Sequence, residues 1–270
     1  VVVDLPAQPS YDPTLIKDVE QVLQDVAPLT QSWIRFARFA ADYYQRPLGE
    51  VVLPALPSPL RSLAAYQGKR AAGGPVARLD KRRKVFQHAA TPSTAPILNV
   101  GQQAAIDAID ASQGFKAFLL FGVTGSGKTE VYLHAAARTL ARGKRVLMLV
   151  PEINLTPQFE QSLRARLEPV AGPEGVAVLH SALSDGERLR AWLSVQRGQA
   201  RIVLGTRLSI FAPIDDLGLL VVDEEHDASY KQQDGLLYSA RDLAVWRAHD
   251  LNVPIVLGSA TPSLESWHHS

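Results

Sequence analysis

From Val100 onward, short apolar runs rich in β-branched residues alternate with longer stretches of helical periodicity. The runs are FKAFLLFGV (115–123), RVLMLVP (145–151), VAVLH (176–180), ARIVLGT (200–206), LGLLVVDE (217–224) and VPIVLGSAT (253–261). Continuous apolar runs of this length suit strands buried on both faces, and the helical stretches between them supply the crossovers of a parallel sheet. The alternation therefore predicts an α/β lobe with its sheet in the middle.

The first hundred residues follow another pattern. TQSWIRFARFAADYYQ places Trp33, Phe36, Ala37, Ala40 and Tyr44 at i, i+3, i+4 spacing, the stripe of a core-facing helix. VVLPALPSPLR follows, interrupted by proline, and residues 62–96 then turn small and polar. That composition predicts a linker, with Arg78, Lys81, Arg82, Arg83 and Lys84 as solvated charge. At 270 residues and 46% hydrophobic content, the chain has room for one large domain and a smaller one. Its opening VVVDLP reads as a strand already in progress, and it closes soon after an apolar run, so a fragment of a longer protein is expected. No run approaches the ~20 apolar residues of a membrane span and no leader-like segment opens the chain, which makes the cytoplasm the default expectation and a membrane partner an unexpected one. With zero cysteines, disulfides and thiolate-bound zinc are excluded within these residues. A net charge of +1 neither demands nor forbids a nucleic-acid partner.

Gly122 to Thr129 reads GVTGSGKT, a match to G-x-x-x-x-G-K-[ST] where a strand hands over to a helix. Gly122, Gly125 and Gly127 let the backbone turn its N–H groups inward on phosphate oxygens, and the start of the helix adds its positive end. In this pattern Lys128 is a point charge for the β- and γ-phosphates, and the Thr129 hydroxyl is a ligand for Mg²⁺. An ordinary glycine-rich turn is the competing reading. A second element decides between them: LLVVDEEHDASY ends an apolar strand with Asp223 and Glu224 side by side. Successive strand residues point in different directions, so Asp223 is placed to hold Mg²⁺ and Glu224 to deprotonate an attacking water. Together the two elements predict nucleotide hydrolysis.

Three more strand ends carry hydroxyls, arginine and backbone donors, the groups that grip a sugar-phosphate backbone: LVPEINLTPQ (149–158), LGTRLSIF (204–211) and GSATPS (258–263). In order and spacing, GVTGSGKT, PEINLTPQ, GTR, DEEH and GSATP resemble motifs I, Ia, Ib, II and III of superfamily 2 helicases. More narrowly, GVTGSGKTEVY, VPEINLTPQ, DEEHDASYKQQDGLLYSARDLAVWRAH and LGSATPSLES resemble the primosomal, replication-restart branch of that superfamily. ADYYQRPLGEVVLPALPSPLR resembles the end of that branch's N-terminal domain, which binds the 3′ end of a nascent strand.

The resemblance implies a RecA-like P-loop lobe at 98–270, a linker at 61–97 and the last part of the DNA-binding domain at 1–60. It implies ATP and Mg²⁺, held by Gly122, Thr124, Gly125, Ser126, Gly127, Lys128 and Thr129, with Asp223 on the metal and Gln102, next to Asn99, reading the adenine. Pro151, Glu152 and Arg207 would lie along a single strand, while Ser259 and Thr261 couple nucleotide state to the DNA path. SYKQQDGLLYSAR (229–241) resembles a DNA-sensing loop in which Tyr230 and Tyr238 offer stacking faces, Lys231 and Arg241 phosphate contacts, and Gln232 and Gln233 either kind of bond. The implied activity is ATP-dependent 3′→5′ unwinding of DNA in the restart of stalled forks. Forked and single-stranded DNA, single-strand-binding protein and primosome proteins are the implied partners of a monomer in the bacterial nucleoid. The chain departs from that branch in three ways: much of the 3′-end pocket is missing, 61–97 is too short for a winged helix, and the second lobe, its arginine finger and a zinc module would all follow Ser270. Another superfamily 2 translocase, or a nucleotide- and DNA-binding fragment without turnover, are the alternatives.

Overall fold

The computed structural model describes residues 22–66, 74–81, 96–172 and 174–268, together with Asp12 and Thr14. Helices α1 (Gln31–Tyr43), α2 (Leu48–Ala55), α3 (Ser58–Arg61) and α4 (Gly74–Lys81) precede α5 (Val100–Asp110). Strand β1 (Ala117–Phe121) leads into α6 (Lys128–Ala141), β2 (Arg145–Leu149) into α7 (Pro157–Ala171), and β3 (Val176–Leu179) into α8 (Asp185–Gln196). Then come β4 (Ile202–Gly205), β5 (Leu217–Val222), α9 (Ala240–Asp250), β6 (Ile255–Ser259) and α10 (Leu264–His268). All six apolar runs form strands, each shorter than its run because the terminal residues turn out into loops.

The strands make one six-stranded sheet in the order β1-β6-β5-β2-β4-β3, every pair parallel. Side chains alternate across it. Val146, Met148, Ile202, Leu204, Leu219 and Val221 pack under α5, α6 and α7, whereas Leu147, Leu149, Val203, Leu220 and Val222 face α9 and the 3-10 turn at Arg207–Phe211. Parallel strands covered on both faces leave the loops at their C-terminal ends as the place to build a site.

The N-terminal helices share this core. On α1, Trp33, Phe36, Ala37 and Ala40 are buried, as the stripe predicts, and they meet Phe211, Leu243 and Ala244 of the α/β body. Trp33 Nε1 donates to the Phe211 carbonyl at 2.7 Å, Phe39 stacks on Trp246 at 3.9 Å, and Arg35 pairs with Asp250 at 2.9 Å. Arg247 is buried beneath them, donating to the carbonyls of Ile210 and Ala212 at 2.6 and 3.0 Å and lying 5.2 Å from the Phe36 ring.

Within the expected linker, α4 is helical and seats Val76 on Leu189, Trp192 and Leu193 of α8. Arg78 is tied down by bonds to the carbonyls of Gly74 and Ala65 at 3.1 and 2.8 Å. Its companions Arg82, Arg83 and Lys84, like the opening VVVDLP, lie outside the described residues. No helix among the described residues is long and apolar enough to cross a membrane.

Candidate active site and nucleic-acid interface

The glycine-rich loop bridges β1 and α6. Gly125 and Gly127 have φ of 81° and 83°, where a side chain would be strained. Gly127 is also the N-cap of α6 and offers no side chain, so the first N–H groups of that helix face outward without a side-chain cap. Thr124, Gly125 and Ser126 are exposed, while Gly122, Lys128 and Thr129 are half-buried. Lys128 folds back over the loop. Its Nζ donates to the Gly122 carbonyl at 2.8 Å and stands 3.6 Å from Glu224 Oε1, with its side chain 9% exposed.

Gln102 joins the loop from α5. Asn99 and Gln102 form a capping box at the start of that helix, and the Gln102 amide then reaches on to the Ser126 carbonyl at 3.1 Å. Both ends of the Gln102 amide thus make protein contacts that fix it beside the loop.

The acidic pair leaves β5 two strands from β1. Asp223 is mostly buried, and burial pushes its carboxyl up from the ordinary range, opposed by the Tyr132 hydroxyl, which donates to Oδ1 at 3.0 Å. Glu224 turns the chain sharply with a φ of 45°, an uncommon conformation for a residue with a side chain. His226 Nδ1 lies 3.8 Å from Glu224 Oε2 and 2.7 Å from Ser259 Oγ. Ser259, fully buried at the end of β6, also accepts the N–H of Thr261 at 3.0 Å. Among the described residues no group of three or more His, Asp or Glu side chains is arranged to hold a metal. One hydroxyl and one carboxylate completed by phosphate oxygens suits Mg²⁺, which keeps few protein ligands.

Glu225, the third acid, is buried and accepts from Ser263 N at 2.7 Å and from Ser266 Oγ at 2.9 Å. Arg241 pairs with it at 3.2 Å and with Asp242 and Glu265. This corrects the expectation of Arg241 as a phosphate contact, because its guanidinium is saturated by three carboxylates.

Tyr230 and Tyr238 require the same correction. They are 2% and 3% exposed, so neither ring offers a stacking face. Tyr230 donates to the carbonyls of Leu149 and Asp223 at 3.0 and 2.5 Å, joining the ends of β2 and β5, and burial raises its hydroxyl well above the ordinary tyrosine value. Tyr238 packs edge-on to Phe211 at 5.2 Å. The segment between them folds back on itself through a bridge between Lys231 and Ser239. Lys231 and Gln233 are exposed and Gln232 is half-buried, with the two amides donating to Asp234 and Lys231 carbonyls. Arg207 supports this segment through the Ser229 carbonyl at 2.6 Å. Pro151 is buried and Glu152 exposed after β2.

The structure thus gathers Gln102, Lys128, Asp223, Glu224 and Ser259 at one end of the sheet. It sets Pro151, Glu152 and Arg207 at the ends of β2 and β4 in the same row. Sequence reasoning missed Tyr132, His226 and Glu225. Tyr132 stands one helical turn after Lys128, so i, i+4 spacing could have placed it on the same face. For Glu225, no local signal marks burial.

Comparison with known proteins agrees with this geometry. A family model described as DEAD/DEAH box helicase matches residues 99–269, and one described as 3′DNA-binding domain (3′BD) matches residues 1–57. The replication restart protein PriA of Treponema pallidum (strain Nichols) is 42% identical over 252 residues, covering 93% of this chain and 35% of that protein. Its namesake in Haemophilus influenzae is 36% identical over 98% of this chain and 44% of that protein, and in Synechocystis sp. 47% identical over 72% and 23%. The chain therefore spans less than half the length of the curated relatives it matches.

Proposed function

The chain belongs to the DEAD/DEAH box helicase family, and on that premise we propose that it is the ATP-binding motor lobe of a 3′→5′ DNA helicase that restarts stalled replication forks. The observation that carries the reading is the approach of Lys128, at the start of α6, to Glu224, just after β5, at 3.6 Å. A charged lysine and a carboxylate brought together at a glycine-rich helix start are the parts that phosphoryl transfer to water requires. The likeness to replication restart proteins and the match to a 3′DNA-binding domain support forked and single-stranded DNA as substrates. Single-strand-binding and primosome proteins are the protein partners of this proposal.

The residues present fit a magnesium nucleotide. The α6 N-terminus has no side-chain cap, and Lys128 donates to a loop carbonyl that a phosphate oxygen can replace. Thr129 and Asp223 would hold the metal, which when bound neutralises charge on the phosphate oxygens. Glu224 takes the proton of the attacking water. Gln102, anchored to the loop, positions the adenine side of the site relative to the phosphates. His226 faces both Glu224 and Ser259, so a change at the phosphate end reaches the Thr261 segment through hydrogen-bonded groups. Zinc has no place in the reading of these residues, which contain no cysteine.

The test is ATP turnover and unwinding by the full-length protein on a fork with a nascent 3′ end. Lys128→Ala and Glu224→Gln should each lower fork-stimulated turnover roughly 10²–10⁴-fold and abolish unwinding, with DNA binding retained. Unwinding that survives either change would overturn the site. Turnover indifferent to DNA would leave the nucleotide site standing and remove the restart reading.

A further inference from the structure

The turn after β5 carries three consecutive side chains with separate attachments. Glu224 faces Lys128 and His226 faces Ser259, while Glu225 between them turns into the protein. The Glu225 side chain is 0% exposed and both of its oxygens are engaged. Oε1 accepts the Ser263 N–H at 2.7 Å, and Oε2 accepts the Ser266 hydroxyl at 2.9 Å and Arg241 Nη1 at 3.2 Å. The Glu225 N–H donates to the Gly258 carbonyl at 2.9 Å, which ties the same turn to the end of β6.

A buried carboxylate with its arginine is a poor way to hold a fold, since apolar side chains of the same volume often serve stability equally well. What it supplies is direction, because a carboxylate accepts along its lone pairs and so fixes each donor relative to itself. The donors here stand next to the parts that the proposed function uses. Ser263 lies two residues past Thr261 and caps α10 by accepting the Ser266 N–H at 3.2 Å. Thr261 is exposed and lies between two ties to one turn, Ser259 to His226 and Ser263 to Glu225. Arg241 is in the first turn of α9, directly after the segment bridged by Lys231 and Ser239, and it also donates to Ser263 Oγ at 3.2 Å. Arg207 holds the other end of that segment through the carbonyls of Ser229 and Lys231.

We propose that Glu225 is a positioning residue of the motor. Through Ser263, Ser266 and Arg241 it makes the Thr261 segment and the start of α9 follow the acidic turn, so that nucleotide bound beside Glu224 changes how tightly the lobe holds single-stranded DNA. This role rests on the proposed function, which supplies both the nucleotide and the strand. It adds to the His226 contact a second route, one that leads to α9 and the 231–239 segment.

The experiment measures the affinity of the full-length protein for an oligodeoxythymidine, with and without the magnesium complex of adenylyl imidodiphosphate. In the unmodified protein the nucleotide should change strand affinity roughly 5–150-fold, the usual span of coupling between two sites. Glu225→Gln keeps the shape but replaces one accepting oxygen with a donating nitrogen, so the three donors can no longer all be met. It should bring the factor close to unity and leave affinity for the nucleotide in the absence of DNA unchanged. Ser266→Ala removes one donor and leaves the carboxylate paired, so it decides the matter where Glu225→Gln fails to fold. It should lower the factor part of the way, and Ser266→Thr, which keeps the hydroxyl, should restore it. A folded variant that is less stable to urea yet keeps the full factor makes the cluster structural and overturns the proposal. Loss of nucleotide affinity without DNA makes Glu225 part of the nucleotide site and also overturns it. An unmodified protein whose turnover a fork stimulates, but whose strand affinity ignores the nucleotide, overturns the role of Glu225 and leaves the motor standing. Turnover indifferent to the fork removes both.

Discussion

Tyr132 reaches Asp223 because residue 258 has no side chain. A Cβ at position 258 would run into the Tyr132 hydroxyl, and Tyr132 is itself 1% exposed with nowhere to retreat. Gly258→Ala should therefore destabilise the fold by ~1–3 kcal/mol as an overpacked core. Tyr132→Phe should destabilise it by ~1.5–3 kcal/mol, because it strips a hydrogen bond from a carboxylate that is mostly out of water. The double variant should fall short of the sum of the two, since removing the hydroxyl removes the nearest atom of the clash. Urea unfolding of the four proteins measures this; strict additivity would show that the two residues do not compete for one space. Tyr132→Phe should also raise the Mg²⁺ concentration needed for nucleotide binding several-fold while leaving metal-free binding unchanged, as isothermal titration with and without the ion would show. At this scale the sequence is legible where a residue's chemistry is local. Lys128 and Thr129 declare themselves by the loop around them and Asp223 by its place at a strand end. Tyr230 and Tyr238 do not. Set among Lys, Gln, Asp and Gly they look like surface residues, and their burial comes from Leu149 and Phe211, partners that lie far along the chain.

Among the elements, α1 is legible as a helix with a buried face, but its partner is not. The stripe of Trp33, Phe36, Ala37 and Ala40 fixes which side is covered, and periodicity carries no information about what covers it. The structure places that face on α9 and the turn that follows β4, so the N-terminal helices are built into the lobe's second core face. The contact is specific as well as apolar. Trp33 holds the Phe211 carbonyl, Arg247 holds those of Ile210 and Ala212, and Tyr44 accepts the Ser239 N–H at 3.0 Å where the Tyr238 segment enters α9. Phe36→Ala removes a ring, 2% exposed, that touches Phe211 and Trp246, and should lower the stability of the whole lobe by ~3–5 kcal/mol. In urea the far-UV signal of the sheet and the fluorescence of Trp33 and Trp246 should shift together. A variant that loses only the tryptophan signal at low urea, with the sheet's midpoint unchanged, would show α1 to be a separable unit. The strands fared better because each is a continuous apolar run that answers to two covered faces. Their ends shortened where Val150, His180 and Thr206 leave the sheet for the loops that form the site.

For the molecule as a whole, the single lobe sets a limit on what this chain does alone. Lys128, Asp223 and Glu224 lie together at one end of the sheet, and the phosphate end of the site opens outward past the exposed Thr124, Gly125 and Ser126. Lys128 is the one arginine or lysine paired with Glu224 among the described residues, while Arg241, on α9, is taken up by Glu225, Asp242 and Glu265. Among the described residues Lys128 is thus the one cation paired at the acidic end of the site, whereas an arginine set against the transferring phosphate contributes roughly 10³–10⁵ in rate. The relatives run two to four times the length of this chain, with ample room for such a group. The chain by itself should bind Mg-ATP and turn it over far below ~1 per second, with little response to DNA. Joined to the rest of its length, it should gain both turnover and DNA dependence. Steady-state phosphate release from the two proteins, each with and without a fork, measures the difference. Rapid, DNA-stimulated hydrolysis by these residues alone would mean that an arginine already inside the lobe leaves its carboxylates during the cycle, and Arg241 would be the first to replace by lysine.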